Sequence, residues 1–333
     1  MSAGFTGPKA LAIAALLAGA AAIGTSPLFV KVSEAGPVSS AFWRVVLALP
    51  LLWCWAALEG AAQRAGRPGP IDSPSPYPSP TSGRGVTDAI SRAHANARGP
   101  LGLALLAGVL FAGDLAVWHW SIVLTSVANS TLLANCAPIF VTLAAWLIFR
   151  RKPRRLFVVG LGTAICGMAL LLRGDFQHAG LALLGDALGV ITAMFYAAYQ
   201  LVVTRARQAY STARLMAISA TVTALILLPI ALASSERFVP VSTHGWLVLA
   251  GLALIAHAGG QSLIAYAMAQ LPATFTSMGL LLQPVVAAAL GWTLLGEVLS
   301  TTAIAGAVLV LIGIRIAHVS ENRDATDRES RPP

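Results

Sequence analysis

The sequence predicts an all-α integral membrane protein with ten transmembrane helices in two inverted five-helix repeats. Three observations predict it. Of 333 residues, 57% are hydrophobic and only 11% are charged. A soluble domain carries roughly 25% charged residues, so this chain cannot cover a water-facing surface and its surroundings are mostly lipid. Helix-length apolar segments recur ten times, each near the ~20 residues that cross a bilayer. Finally, one pattern occurs twice at an offset of 146: Pro138, Trp146, Gly160 and Gly167, then Pro284, Trp292, Gly306 and Gly313. A proline-bearing apolar helix, a turn and a glycine-bearing apolar helix, repeated at fixed spacing, is internal duplication within a membrane protein.

The ten spans fall at 10–30, 38–58, 101–123, 127–149, 156–172, 181–203, 215–233, 246–268, 273–295 and 302–319. Span 1 follows Lys9, as a signal peptide would, but its apolar run exceeds the ~7–15 residues of a signal sequence and is kept as a span. Spans 1 and 2 occupy 1–58. Residues 59–100 differ from everything else. Pro68, Pro70, Pro74, Pro76, Pro78 and Pro80 alternate there with serines and no apolar period is present, so the segment is expected to be a disordered insert. Spans 3–5 fill 101–175 and complete the first repeat. The second repeat, spans 6–10, fills 176–319, and the polar tail 320–333 is expected to be disordered. Cys54, Cys136 and Cys166 lie in apolar runs without metal-ligand spacing and read as small core residues.

Basic residues set the orientation. With the N-terminus cytoplasmic, the inside segments hold Lys9; Arg64, Arg67, Arg84, Arg92 and Arg98; Arg150, Arg151, Lys152, Arg154 and Arg155; Arg205, Arg207 and Arg214; and Arg315, Arg323, Arg328 and Arg331. The outside segments hold only Lys31, Arg173 and Arg237. This asymmetry places both termini in the cytoplasm. It also accounts for the net charge of +9 as a topology signal and excludes a nucleic-acid reading. Five spans per repeat is odd, so the second repeat enters the membrane from the opposite face. Arg151 and Glu297 hold equivalent positions, the first inside and the second outside, each where its charge is tolerated.

Ordered motifs give the chain a family likeness. They are Gly24-Thr25-Ser26-Pro27 ahead of Lys31, Phe42-Trp43-Arg44 in span 2, Gly185-Asp186 and Thr204-Arg205 bounding span 6, and Pro284 followed by Leu294-Leu295-Gly296-Glu297 in span 9. With ten spans in two halves, the chain resembles the drug/metabolite transporter superfamily of the EamA type. The resemblance covers nearly everything except the insert and tail. Arg151 stands where the family usually has glutamate, and the insert is unusual. The resemblance implies a secondary transporter with a central cavity lined chiefly by spans 3, 4, 8 and 9, with parts of 1 and 6. Export is the direction it implies.

Polar side chains inside lipid-spanning helices face a cavity or a neighbouring helix. Span 3 carries Asp114 and Trp118 at i,i+4, then His119 and Trp120. Span 4 carries Thr131, Asn135, Pro138 and Thr142 on one stripe, span 6 Tyr196 and Gln200, span 8 His257, Gln261 and Tyr266, and span 9 Thr276, Gly279 and Gln283. Binding candidates are therefore Arg44, Asp114, Trp118, His119, Asn135, Tyr196, Gln200, His257, Gln261, Tyr266 and Gln283. Each has a plainer reading. Trp118 and Trp120 are also placed as interfacial aromatics, Asn135 and Gln283 as bonds between helices. Arg44, about 9 Å into span 2 at 1.5 Å per residue, is able either to snorkel outward or to anchor an anion. Pro138 and Pro284 each free a backbone carbonyl and read as hinges. Gly160, Gly167, Gly306 and Gly313 read as close helix contacts.

A local frame also pairs Asp114 with His257. Each follows six residues after the glycine of a Leu-Ala-Gly run, at Gly108 and Gly251, an offset of 143. The expectation is that both line the cavity and that one carries a proton exchanged for substrate. The plainer reading makes them packing residues. No HExxH, GxSxG or P-loop sequence occurs, so the chain is not expected to be an enzyme, and no cofactor or metal is implied. The function expected is movement of a small polar or amphipathic metabolite, such as an amino acid, across the inner membrane by alternating access. A non-transporting membrane sensor or assembly protein is the rival, and polar stripes in both halves speak for transport. The partners implied are a small-molecule substrate, the lipid bilayer and protons; the oligomeric state is open.

Overall fold

The structure, a computed structural model, describes residues 8–65, 84–125, 127–147, 150, 152–172, 180–234, 236–296 and 300–329. The insert prolines, Arg151, Arg173, His178 and Glu297 lie outside the described residues, as does the side chain of His94. In chain order the helices are α1 (Pro8–Gly24), α2 (Ser26–Val32), α3 (Pro37–Val46), α4 (Leu49–Ala65), α5 (Arg84–Leu124), α6 (Val127–Ala134), α7 (Ala137–Leu147), α8 (Arg155–Leu172), α9 (Leu181–Ala206), α10 (Thr212–Ala233) and α11 (Thr243–Gly251). A π-helical segment, Leu252–Gln261, follows, then α12 (Ser262–Ala267), α13 (Ala273–Gly279), α14 (Leu282–Leu295) and α15 (Thr301–Glu329). Among the described residues, nine helical stretches are long and apolar enough to cross a membrane, and α8 is apolar but shorter. Outward-facing Trp53, Leu58, Leu147 and Leu225 are 47–71% exposed. In water they would form an apolar surface far beyond that of a monomer; acyl chains match it.

Four expected spans are interrupted. The breaks fall at Thr25 between α1 and α2, at Leu47–Ala48 between α3 and α4, at Asn135–Cys136 between α6 and α7, and at Leu280–Leu281 between α13 and α14. A proline sits in the first turn after each: Pro27, Pro50, Pro138 and Pro284. Proline has no N–H to return to residue i−4 and fits best in a helix's first turn, and at these four positions the chain stops one helix and starts another. The tightened turns carry i−3 bonds, such as Cys136 N–H to the Leu133 carbonyl (3.0 Å) and Leu281 N–H to the Met278 carbonyl (3.2 Å).

The ends of the expected disordered insert are helical where they are described. α4 continues through Glu59 to Ala65, and α5 begins at Arg84. The tail behaves likewise, since α15 continues past Ser320 to Glu329. Extending an existing helix adds a hydrogen bond per residue without a new nucleation cost, and alanine, glutamine, arginine and glutamate extend helices readily.

α8 packs along α15 through four glycines. A Cβ built on Gly160 would lie 2.8 Å from the Gly313 carbonyl oxygen, and one on Gly167 would lie 2.7 Å from the Gly306 carbonyl oxygen. The early glycine of each helix thus meets the late glycine of the other, so the two helices run antiparallel with their backbones in contact.

The turn between α2 and α3 and the loop between α10 and α11 cap one another. Glu34 accepts from the Val241 N–H (2.8 Å), the Ser242 N–H (3.0 Å) and the Ser242 hydroxyl at the start of α11. Glu236 accepts from the Val38 N–H (3.0 Å) in the first turn of α3. Helix N-termini present unsatisfied N–H groups and favour carboxylates. The Ser242 hydroxyl, the Ser242 and Val241 amides and nearby Arg237 together hold the Glu34 carboxyl below the usual carboxylate range. Its stabilisation is therefore complete above the ordinary glutamate pKa and is lost as pH falls through the lowered folded value. Glu34→Gln is expected to melt lower than wild type at neutral pH, with the two melting temperatures converging in acid. Parallel curves over that range would show that the carboxylate contributes nothing.

Candidate substrate cavity

The interrupted spans converge on a cavity of about 130 Å³. Ile23, Gly24, Ser26 and Pro27 line it from the α1/α2 break, and Arg44 from α3. Phe111, Asp114, Leu115 and Trp118 come from α5, Thr131, Ala134 and Asn135 from α6, and Thr192 and Tyr196 from α9. Gln261 closes the π-helical segment, and Gln283, Pro284 and Ala287 open α14. The breaks explain the convergence. Each puts backbone that is not fully paired at membrane depth, which is tolerated only where it lines a cavity or is buried in protein. Close backbone packing holds the breaks together, since a Cβ on Gly24 would lie 2.8 Å from the Gln283 carbonyl oxygen.

Seven of the eleven predicted binding residues line this cavity: Arg44, Asp114, Trp118, Asn135, Tyr196, Gln261 and Gln283. Arg44 does not snorkel; it is 7% exposed and stands in the last turn of α3. The break behind it leaves a helix C-terminus there, whose carbonyls favour a cation. Asp114 is 9% exposed, and the mutual electrostatic interaction of Arg44 and Asp114 links α3 to α5. The Asn135 amide donates to the Thr131 carbonyl (2.8 Å). Tyr196 of α9 and Gln283 of α14 stand side by side on the cavity wall. Among the described residues, Ser26 Oγ, Arg44 Nε, Gln261 Oε1 and Gln283 Nε2 are buried with no hydrogen-bond partner.

Four predicted residues do not line it. His119 is buried against Trp118, its ring bonded to the Leu115 carbonyl. It lies five residues from Asp114, about 140° around the helix at roughly 100° per residue. Gln200 is fully buried one turn beyond Tyr196, where the cavity has ended. Tyr266, five residues past Gln261, lies near Arg207 at the end of α9. The expectation that His257 lines the cavity is corrected. The Phe111 ring, itself part of the wall, stacks on the His257 ring at 5.6 Å and His257 is 1% exposed. Of the two hinge prolines, Pro284 lines the cavity, whereas Pro138 is buried off it because the break at Asn135–Cys136 redirects the stripe begun by Thr131 and Asn135.

Phe111, Thr192 and Ser26 also line the cavity and are not among the predicted binding residues. Ser26 had a signal, a small polar residue directly before a proline in an apolar span. Phe111 had none, because an aromatic residue in a transmembrane helix is ordinary.

Residues 10–173 and 183–318 each match the EamA-like transporter family. The chain belongs to that family. EamA-like proteins fall within the drug/metabolite transporter superfamily, so this is a multi-pass membrane protein of a transporter family. The chain is also similar to a solved crystal structure with a TM-score of 0.72, covering 94% of this chain and 98% of that one at 14% identity. At that identity the likeness shows the fold alone. No curated protein matches the sequence. For an EamA-like transporter the cavity has the expected ingredients: a mostly apolar wall, a few convergent polar groups and a position where discontinuous helices meet.

Proposed function

We propose that the chain is a secondary transporter that exports a small polar or amphipathic metabolite, such as an amino acid or related compound, across the inner membrane by alternating access. The observation that carries this reading is the cavity itself, lined at three of the four proline-marked breaks and holding Arg44 and Asp114. Interrupted helices are the elements able to bend as the site opens to one side and then the other. Ten spans in two inverted repeats suit this mechanism, and the glycine contacts support them: Gly160 meets Gly313 as Gly306 meets Gly167. That is the self-complementary pattern of a twofold axis, with 146 residues between equivalents. Asp114 is the cavity carboxylate proposed to carry a coupling proton; His257 no longer shares that role.

Counterflow in proteoliposomes tests the reading. Radiolabelled metabolite should accumulate in loaded vesicles holding wild-type protein, and a pH gradient should drive its flux in wild type but not in Asp114→Asn. Absence of counterflow across a broad metabolite panel would sink the transporter reading. Equal gradient-driven flux in both proteins would remove only the proton role. The proposed orientation, with both termini cytoplasmic, rests on the basic residues. Ser300→Cys should react with an impermeant thiol reagent from outside intact cells and Ser211→Cys should not.

A further inference from the structure

We propose that the cavity recognises a zwitterion, with Arg44 holding its carboxylate and Asp114 its cationic group. The inference rests on the transporter reading and names the substrate class of that same site. Both side chains are more than nine-tenths buried and both line one small cavity. Among the described residues neither forms an ion pair or a hydrogen bond, and Arg44 Nε is buried without a partner. Isolated charges in an apolar interior are costly and are ordinarily paired or coordinated. Here each interacts electrostatically with the other, without an ion pair between them. A ligand with one charge of each sign satisfies both groups at once. A purely anionic ligand would leave Asp114 facing added negative charge, and a purely cationic one would do the same to Arg44.

Size and remaining chemistry narrow the class. The cavity, about 130 Å³, is near the ~150 Å³ of an apolar cavity that takes benzene, which suits a compact ligand of roughly six to nine heavy atoms. Gln261 Oε1 and Gln283 Nε2, an acceptor and a donor, are also unpartnered. They offer the ligand one further hydrogen bond of each kind. The rest of the wall, with Phe111 and Trp118, is apolar or aromatic and fits a hydrocarbon side chain.

Matched triads test this. Each triad holds a zwitterion, the amine lacking its carboxylate and the acid lacking its amine: leucine, 3-methylbutylamine and 4-methylpentanoate; phenylalanine, phenethylamine and 3-phenylpropanoate; and γ-aminobutyrate, propylamine and butanoate for a wider charge spacing. Binding is read as a shift in melting temperature of the purified protein in nanodiscs. At least one zwitterion should bind at least tenfold more tightly than its amine and its acid. That preference should vanish in Arg44→Gln and in Asp114→Asn. Because either substitution strands one buried charge, Arg44→Gln with Asp114→Asn serves as the neutral control; it should fold, by ligand-free melting and monodispersity, and should not bind the zwitterion. No response to any zwitterion, an amine or acid that binds as well as its parent, or a zwitterion response surviving in the double variant overturns the proposal. Flux of the same compounds separates this from the transporter reading. Transport of an amine or acid without its zwitterion removes the zwitterion and keeps the transporter. Zwitterion binding without any flux does the reverse.

Discussion

Gly306→Val is expected to abolish recovery of folded, monodisperse protein. A Cβ at that position would meet the Gly167 carbonyl oxygen at 2.5 Å and the Leu171 Cα at 2.8 Å. Both are backbone atoms of a helix, so no rotamer change relieves the clash and α8 and α15 would have to separate. Separation is costly because lipid offers little hydrophobic drive to reassemble helices; their association depends on close backbone approach between small residues. Gly306→Ala is expected to cost about 1–3 kcal/mol, the usual range for overpacking, and valine more. The twofold pattern adds a sharper expectation. Gly160→Val should fail similarly, since its Cβ would lie 2.8 Å from the Gly313 carbonyl oxygen, whereas Gly162→Val on the same helix meets open space. Fluorescence-detected gel filtration and a thermal ramp on the variants check this. A monodisperse Gly306→Val protein melting within a few degrees of wild type would show that the crossing does not hold the fold together.

Much of this crossing was legible in the sequence. Four glycines at equal spacing in two apolar segments have few other uses. The spans were legible for the same reason, since a bilayer demands length and apolarity and little else. Faces were only half legible. Helical spacing puts Asp114 with Trp118, which both line the cavity, and the roughly 140° between Asp114 and His119 sets His119 apart from them. Depth along the helix was not legible, and depth removed Gln200 and Tyr266 from the site. Breaks were the larger gap. The repeat marks Pro138 and Pro284 as hinges, nothing in the sequence marks Pro50, and Pro229 lies inside α10 without breaking it. Proline permits a break, but whether one forms depends on what fills the freed space. The pairing of Asp114 with His257 failed on a similar point. From Gly108 to Pro138 is 30 residues and from Gly251 to Pro284 is 33, and the second stretch contains the π-helical segment Leu252–Gln261. Extra residues taken up as a wider helix change what faces what, and a local frame drawn across them does not carry over.

Phe111→Ala is expected to lower the melting temperature by several degrees and to relax the size limit on ligands. Phe111 is 3% exposed, lines the cavity, and packs its ring on Tyr199 (5.0 Å between centroids) and His257 (5.6 Å). In a water-soluble core this truncation costs about 3–5 kcal/mol. Part of that figure is transfer from water, and it shrinks here because the unfolded reference also lies in lipid. What remains is the cavity, at about 24 cal/mol per Å³ for a ring on the order of 100 Å³, and the ring contacts at about 0.5–1.5 kcal/mol. Together these give about 3 kcal/mol, which water entering the enlarged cavity reduces. The His257 ring stacks on Phe111 and both its nitrogens are buried without a partner among the described residues, so water that reaches them in the enlarged cavity offsets part of the lost packing. Phe111→Leu, which keeps the wall, should lie between alanine and wild type in melting temperature and should not admit larger ligands. Thermal ramps of the three proteins, each with phenylalanine and leucine, separate the effects. If Phe111→Ala melts with wild type and its ligand preference is unchanged, the ring is not the wall between the cavity and His257.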